Sequence, residues 1–368
     1  MLDAIRPGRQ GGLRRNLSGE LAYLSFLPSS LQSCLPLSLS NSAQRAVSDC
    51  RALLGEMQGM ARFIPNVGMY LTMYVRKEAL LSSQIEGTQC TFDDVLDPEN
   101  EKNASRDLED VINYVSATER AVELMGSMPL CTRLLRMVHE TLLAGVRGSE
   151  KHPGELRTSQ NWIGPNGCTL NEAAYVPPNV DDMRDALSDL EAFLNEEHTL
   201  DPIVKAGLVH YQFETIHPFL DGNGRMSRLL SLLLLYKNGF DAGKYVSFEE
   251  QISNYKAYYY EALRQSSVGW EAGENSYFPF VENFLSTLYM CYKELDKRFA
   301  VVHGKKVTKK ARVEATVLNN LTPISKAEIC KILPDVSPTT VEAVLGAMVK
   351  TGSVKRIGAG RAARYIKA

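Results

Sequence analysis

The chain has 368 residues, with 41 Lys and Arg against 43 Asp and Glu, a formal net charge of −2 and 44% apolar residues. That length predicts two or three domains of a soluble protein, and the neutral balance argues against a global pull toward nucleic acid or a membrane. Cys34, Cys50, Cys90, Cys131, Cys168, Cys291 and Cys330 are odd in number and widely spread, with no Cys-x-x-Cys. They argue against a disulfide framework or zinc ribbon and predict reduced thiols in a cytoplasmic protein.

The N-terminus carries Arg6, Arg9, Arg14 and Arg15, but Pro28, Pro36 and many serines break the stretch that follows. No apolar secretory segment is predicted there, and no run reaches the roughly 18–20 residues of a membrane span. Residues 1–40 are expected to be irregular. From Ser42 to Leu96 apolar residues recur at helical spacing; Tyr70, Met73, Tyr74 and Lys77 belong to a helix running toward Leu81. Leu108, Val111, Ile112 and Val115 form an i, i+3, i+4, i+7 stripe, so another helix follows Pro98. Further helices are predicted over 131–145, 181–196, 201–215, 225–238, 249–265 and 276–299. The fold class is mainly α.

One segment, Arg157 to Pro178, interrupts the helices. It contains Ile163-Gly164-Pro165-Asn166-Gly167, a turn signal between residues that tolerate extended backbone. A short β-hairpin flap is expected there.

Residues 305–368 hold 13 basic residues against 4 acidic ones, within a chain whose total is −2. A linker near 300–311 is therefore expected before a basic module. Ser325 and Ser337 stand where they would cap two helices, and a strand-like Val354–Ile357, a Gly358-Ala359-Gly360 turn and the stretch Ala363–Lys367 follow. Helix, turn, helix and basic hairpin resemble a winged-helix domain.

The most informative stretch is His217-Pro218-Phe219-Leu220-Asp221-Gly222-Asn223-Gly224-Arg225-Met226-Ser227-Arg228, which runs into a leucine-rich helix. Gly222 and Gly224 let backbone N–H groups approach a ligand at a helix start, where anions bind. Asn223 adds an amide donor. Arg225 and Arg228, three apart, can clamp further phosphates. Asp221 offers hard oxygens for Mg²⁺, and His217 can take a proton from a hydroxyl. These parts point to transfer from a nucleoside triphosphate to a hydroxyl, without saying which phosphoryl group moves.

The stretch resembles the signature of the Fic family, His-x-Phe-x-Asp/Glu-Gly-Asn-Gly-Arg-x-x-Arg, at every specified position. The resemblance implies a Fic-type helical core and transfer of AMP from ATP to a Ser, Thr or Tyr hydroxyl of a protein, with pyrophosphate leaving. It implies His217 as general base, Phe219 as the loop's anchor, Asp221 as Mg²⁺ ligand, and Gly222, Asn223 and Gly224 as an anion hole. Arg225 and Arg228 would hold the triphosphate, with Arg228 on the γ-phosphate. The flap over residues 163–167 would register a target by strand addition. Tyr255, Tyr258 and Tyr259, with Tyr260, would border the nucleotide.

Ser82-Ser83-Gln84-Ile85-Glu86-Gly87 resembles the family's inhibitory motif, Ser/Thr-x-x-x-Glu-Gly/Asn. It implies that Glu86 pairs with Arg228 in place of the γ-phosphate, with Ser82 steadying the helix end and Gly87 completing the motif. The domains expected are 1–103, N-terminal with the inhibitory helix; 104–300, the catalytic core; and 301–368, the winged-helix-like basic domain. A homodimer, self-modification and removal of AMP are compatible with this resemblance, and no membrane partner is expected. The alternative is a DNA-binding transcriptional regulator that uses its Fic core as a nucleotide sensor.

Overall fold

The computed structural model describes the chain apart from residues 1–10, 36, 38, 62–66, 97–103, 146–148, 166, 198–199, 241–246, 273, 304–307, 319–322, 359, 361–362 and 368. The expected helices are found, one of them in two pieces. They are α1 (Asn41–Ala61), α2 (Val67–Ile85), α3 (Phe92–Leu96), α4 (Arg106–Met125), α5 (Thr132–Leu142), α6 (Val180–Asn195), α7 (Pro202–Ile216), α8 (Asn223–Lys237), α9 (Phe248–Asn254), α10 (Lys256–Ser267) and α11 (Phe278–His303). The side chains of Tyr70, Met73 and Tyr74 lie outside the described residues.

Helix starts follow their caps. Ser105 accepts from the N–H of Leu108, and Asn179 from that of Asp182. Asp201 accepts from the N–H of Ile203, with Pro202 in the first turn. There a missing N–H costs nothing, because that donor has no partner inside the helix.

The centre of the molecule is the α7–α8 pair. Both helices are buried on nearly every face, as expected of helices apolar all round. α11 packs along α1 and α7, with Phe280 and Phe284 against His210 of α7. At Gly207 the helices approach closely, since an added Cβ would lie 3.1 Å from the Phe284 ring. α2 lies against α4 and α9, and α6 against α7. The loop 217–222 is therefore held between two rigid core helices.

Three expectations need correction. Residues 11–28 are not irregular: β1 (Gly11–Asn16) and β2 (Tyr23–Pro28) form an antiparallel pair, in register from Gly11–Pro28 to Asn16–Tyr23. Phe26 is its anchor, buried against Tyr175 and Trp270, and its N–H donates to the Val176 carbonyl at 2.9 Å. Gly11 passes so close that a Cβ would sit 2.2 Å from the Phe26 ring. Glycines and the paired Arg14 and Arg15 hide the strand's alternation. Second, the helix expected over 249–265 breaks at Tyr255, whose φ of −120° and ψ of 31° are not helical. Third, the flap hairpin is reduced to one antiparallel bridge, Ile163–Tyr175. Its connection is too long for a two-residue hairpin turn and folds into its own short turn at Leu170–Glu172, closed by a Thr169–Glu172 capping box. Gly164, Pro165 and Gly167 lie in this connection; Asn166 lies outside the described residues.

The C-terminal segment has its own core, from Val313 to Val354. α12 (Lys309–Leu318), β3 (Ile324–Ser325), α13 (Lys326–Ile332), α14 (Pro338–Lys350), β4 (Val354–Ile357) and β5 (Arg364–Lys367) follow in order, and the antiparallel sheet runs β3-β5-β4. Ser325 and Ser337 cap α13 and α14 as the sequence predicts.

Candidate active site

His217 ends α7 in the left-handed conformation, φ 49° and ψ 60°. A side chain with a Cβ pays roughly 1–2 kcal/mol for that backbone, so the surroundings must hold it. The buried Arg157 does so, with no carboxylate partner among the described residues. Its guanidinium donates to the carbonyls of His217 at 3.0 Å, Ser159 at 3.1 Å and Pro178, and its own N–H donates to the Pro218 carbonyl at 3.0 Å. Burial lowers Arg157 to about 10, which still leaves it charged at neutral pH. Asn161 adds donations to the carbonyls of His217 and Phe219.

Below the loop, Phe219 is fully buried and stacks on His139 of α5. His139 Nδ1 accepts from the Gly154 N–H at 2.9 Å, so the ring proton lies on Nε2 and is donated to the Asp221 carbonyl at 3.1 Å. Burial, the leading cause, holds His139 down at about 4 and keeps it neutral. Asn223, expected to face an anion, instead spends its side chain on the loop: Oδ1 accepts from the Phe219 N–H at 3.0 Å, and Nδ2 donates to the Phe219 carbonyl at 2.9 Å. It is a clamp that keeps Phe219 in register with the start of α8.

His217 Nδ1 lies 3.3 Å from the Glu214 carbonyl. A carbonyl only accepts, so Nδ1 carries the proton and Nε2 is left with its lone pair. Burial leads in lowering His217 to about 4, with the Glu214 carbonyl opposing it and Arg157 assisting. The imidazole is therefore neutral at physiological pH, the form that can accept a proton.

α8 opens at Asn223 with Gly222 as N-cap, φ 73°. Backbone N–H groups and the positive end of the helix dipole make this an anion site. The anion present is Glu86. One of its carboxylate oxygens would lie 2.6 Å from a Cβ built on Gly224, and the same oxygen accepts from Arg228 at 3.0 Å. Glu86 follows the last turn of α2, which Gly87 closes with φ 103°. Lys256 of α10 holds that turn by donating to the Ile85 carbonyl at 2.6 Å.

Arg228 is buried, and three residues supply its acceptors. Its Nε meets Ser82 Oγ at 3.2 Å and Glu249 at 3.1 Å, and a terminal nitrogen meets the Ser82 carbonyl, Ser82 Oγ and Glu86. Burial opposes its charge, but Glu249 and then Glu86 outweigh it and keep the proton held well above the usual range. Ser82 thus binds Arg228 directly, rather than only steadying the helix end. Arg225, expected beside Arg228 on the triphosphate, is buried and pairs with Asp110 of α4 at 3.6 Å. The two arginines have different carboxylate partners on different helices.

Of the tyrosines, Tyr259 belongs to the core. It is buried, and its hydroxyl lies 2.9 Å from His210 Nε2. Tyr255 and Tyr258 are exposed, and neither side chain hydrogen-bonds to the loop among the described residues. Burial and then the Glu86 charge push Tyr260 up to about 12. Sequence reasoning missed His139, Arg157 and Glu249. Nothing in the sequence ties His139, Arg157 or Glu249 to a loop many residues away.

Asp221 is half-buried. Its Oδ1 accepts from the Gly222 N–H at 2.6 Å, and Oδ2 meets no donor among the described residues. A hard oxygen beside a phosphate-type site fits Mg²⁺.

Comparison with known proteins supplies the family. A profile described as Fic/DOC family N-terminal matches residues 44–123, and one described as Fic/DOC family matches residues 129–235; together they span more than half of the chain. The chain is 32% identical over 143 residues to protein adenylyltransferase Fic of Drosophila yakuba, covering 38% of this chain and 26% of that protein. It is 37% identical over 89 residues to protein adenylyltransferase fic-1 of Caenorhabditis elegans, covering 24% and 16% respectively. The match thus spans about a quarter of the length of the fly relative, and less of the worm one. In fold the chain is similar to a Fic family protein from Desulfovibrio desulfuricans G20, with TM-score 0.57 and 21% identity, covering 90% of this chain and 98% of that one. A Fic domain containing signaling protein from Bacteroides thetaiotaomicron gives TM-score 0.53 at 20% identity, covering 75% and 98%. Two adjacent profiles, a helical fold shared almost end to end and a loop that meets the family signature at every specified position place this chain in the Fic/DOC family.

Proposed function

We propose that this protein transfers AMP from ATP to a hydroxyl of a protein, and that Glu86 keeps the activity low. The observation that carries the reading is the Glu86 carboxylate, placed over Gly224 at the start of α8 and bound to Arg228. A carboxylate in a phosphate-type site is a competitor for the phosphate. The relatives' adenylyltransferase names supply the reaction class.

In the transfer, His217 Nε2 takes the proton of the target hydroxyl as its oxygen attacks the α-phosphorus. The bond from that phosphorus to the bridging oxygen breaks, and pyrophosphate leaves. The N-terminal amides of α8 and Arg228 hold phosphate oxygens, which Arg228 can do once Glu86 has moved aside. Asp221 would hold Mg²⁺, which offsets phosphate charge when bound. The segment at Ile163, Gly164, Pro165 and Gly167, with the exposed Trp162, would dock the target backbone. An α-phosphate displaced by about 1 Å can cost on the order of a hundredfold in rate, which sets the size of the restraint. Glu86→Gly should raise transfer by that order, and adding His217→Ala should abolish it. Equal label transfer with and without His217 would refute the assignment of the base.

A second reading concerns the C-terminal segment, which we take as a winged-helix module with affinity for duplex DNA. All four of its acidic residues are already paired: Glu314 with Lys310, Glu328 with Arg364, Asp335 with Arg312 and Glu342 with Lys326. Lys350, Lys355, Arg356 and Lys367 remain for phosphates, and the β4–β5 hairpin presents Lys355 and Arg356 to solvent.

A further inference from the structure

We infer that Glu214 is a positioning residue for the base: its carboxylate stabilises the imidazolium that forms when His217 accepts the target's proton. The inference rests on the adenylyl-transfer reading above. Glu214 lies three residues before His217, on the last turn of α7, so the two side chains share a face. Its Oε2 stands 3.9 Å from His217 Nδ1, and its backbone carbonyl stands 3.3 Å from the same nitrogen. One residue thus supplies both the acceptor that fixes the tautomer and the charge that answers the cation.

The carboxylate is not free to swing away. Ser227, fully buried on α8, donates to Oε1 at 2.6 Å. That contact links Glu214 to the helix whose N-terminus forms the anion site. Both side chains are mostly sheltered, with 21% of His217 and 14% of Glu214 exposed. Low exposure limits screening, so a charge pair at this distance acts strongly.

The proton balance is simple. The hydroxyl proton goes to His217 Nε2, and the Nδ1 proton stays on the ring. Glu214 gains no proton, and its negative charge offsets the imidazolium until that proton is passed to solvent. Glu214 must be ionised to act. Burial raises it to about 7, opposed by Ser227 and Arg228 and assisted by Glu86. Arg157 and Glu86 also face His217, while Tyr259 and Tyr260 face Glu214. The tyrosines stay neutral in this range, because burial raises both. Arg157 and Arg228 stay charged, so Glu214 is the group that supplies an ionisation near neutral pH.

The test compares Glu86→Gly with Glu86→Gly/Glu214→Gln. Glutamine keeps an acceptor for Ser227 and removes the charge. The expected result is a kcat lower by on the order of a hundredfold, within the usual span of acid–base effects, with KM for ATP within about twofold. The rise of kcat as Glu214 ionises, which loss of Glu86 moves below about 7, should vanish. A purely structural Glu214 would leave kcat and its pH profile unchanged in a folded variant, and that result would overturn the proposal. A second readout needs no turnover: ethoxycarbonylation of His217 by diethyl pyrocarbonate, followed by peptide mass spectrometry. Its rate should climb through about pH 7 when Glu214 is present and stay flat in the Glu214→Gln variant. If Glu86→Gly transfers no AMP, the functional reading fails, and this rate alone still decides whether Glu214 acts on His217. Identical rates in both variants would refute the inference.

Discussion

The imidazole of His139 lies flat on the ring of Phe219, with centroids 3.7 Å apart and planes 5° from parallel. The same ring bridges the Gly154 N–H and the Asp221 carbonyl. One neutral histidine therefore ties α5, the segment before Arg157 and the signature loop together.

Replacing His139 should be costly. His139→Ala removes a buried ring and two hydrogen bonds, for about 3–4 kcal/mol of stability. The pH dependence has a fixed sign. The folded state holds His139 at about 4, whereas an unfolded histidine titrates near 6.5. Between those values the unfolded chain binds the extra proton. The histidine's contribution is then fully present above about 6.5 and is lost as pH falls toward 4, by about 3 kcal/mol. In urea unfolding, the gap between wild type and His139→Gln should narrow by that amount from pH 7 to pH 4. A gap independent of pH would show that His139 is not held neutral.

Gly224 offers a second test, independent of charge. Its missing side chain is what admits an anion: a Cβ would lie 2.6 Å from Glu86 and 3.2 Å from Arg228. Gly224 is helical, so alanine suits its backbone. In a Glu86→Gly background, Gly224→Ala should keep the melting temperature within a few degrees and lower AMP transfer on the order of a hundredfold. Unchanged transfer would mean that no phosphate oxygen occupies that position.

The basic tail makes a separate prediction. Fluorescence anisotropy with a duplex oligonucleotide at low salt should show binding that weakens steeply as salt rises. Lys355→Ala with Arg356→Ala should weaken it about uniformly across sequences. Absence of binding at about 50 mM salt, where phosphate contacts are strong, would leave this module a protein-contact unit.

Much of the fold is legible in the sequence because the helices carry their own signals. Ser325 and Ser337 mark starts by local capping, and the leucines of α8 announce a core helix. The β1–β2 hairpin was not legible, since its one deep anchor, Phe26, finds Tyr175 and Trp270 only in the fold. In the site, the signature told which residues gather, and the structure altered what several of them do. Asn223 turned from anion donor to loop clamp, Arg225 went to Asp110, and Tyr259 went to the core. Each change comes from a partner that spacing alone does not reveal. Glu86 was the exception: its motif named Arg228 as the partner, and the two are 3.0 Å apart.

Glu86 is proposed to stand where a phosphate of ATP binds. The direct measurement is transfer of label to protein from ATP carrying radioactive phosphorus at the α or the γ position, for wild type and Glu86→Gly at matched folding. Transfer of α label only is expected, low in the wild type and raised on the order of a hundredfold in Glu86→Gly. Equal α-label transfer by the two proteins, or transfer of γ label, would contradict it.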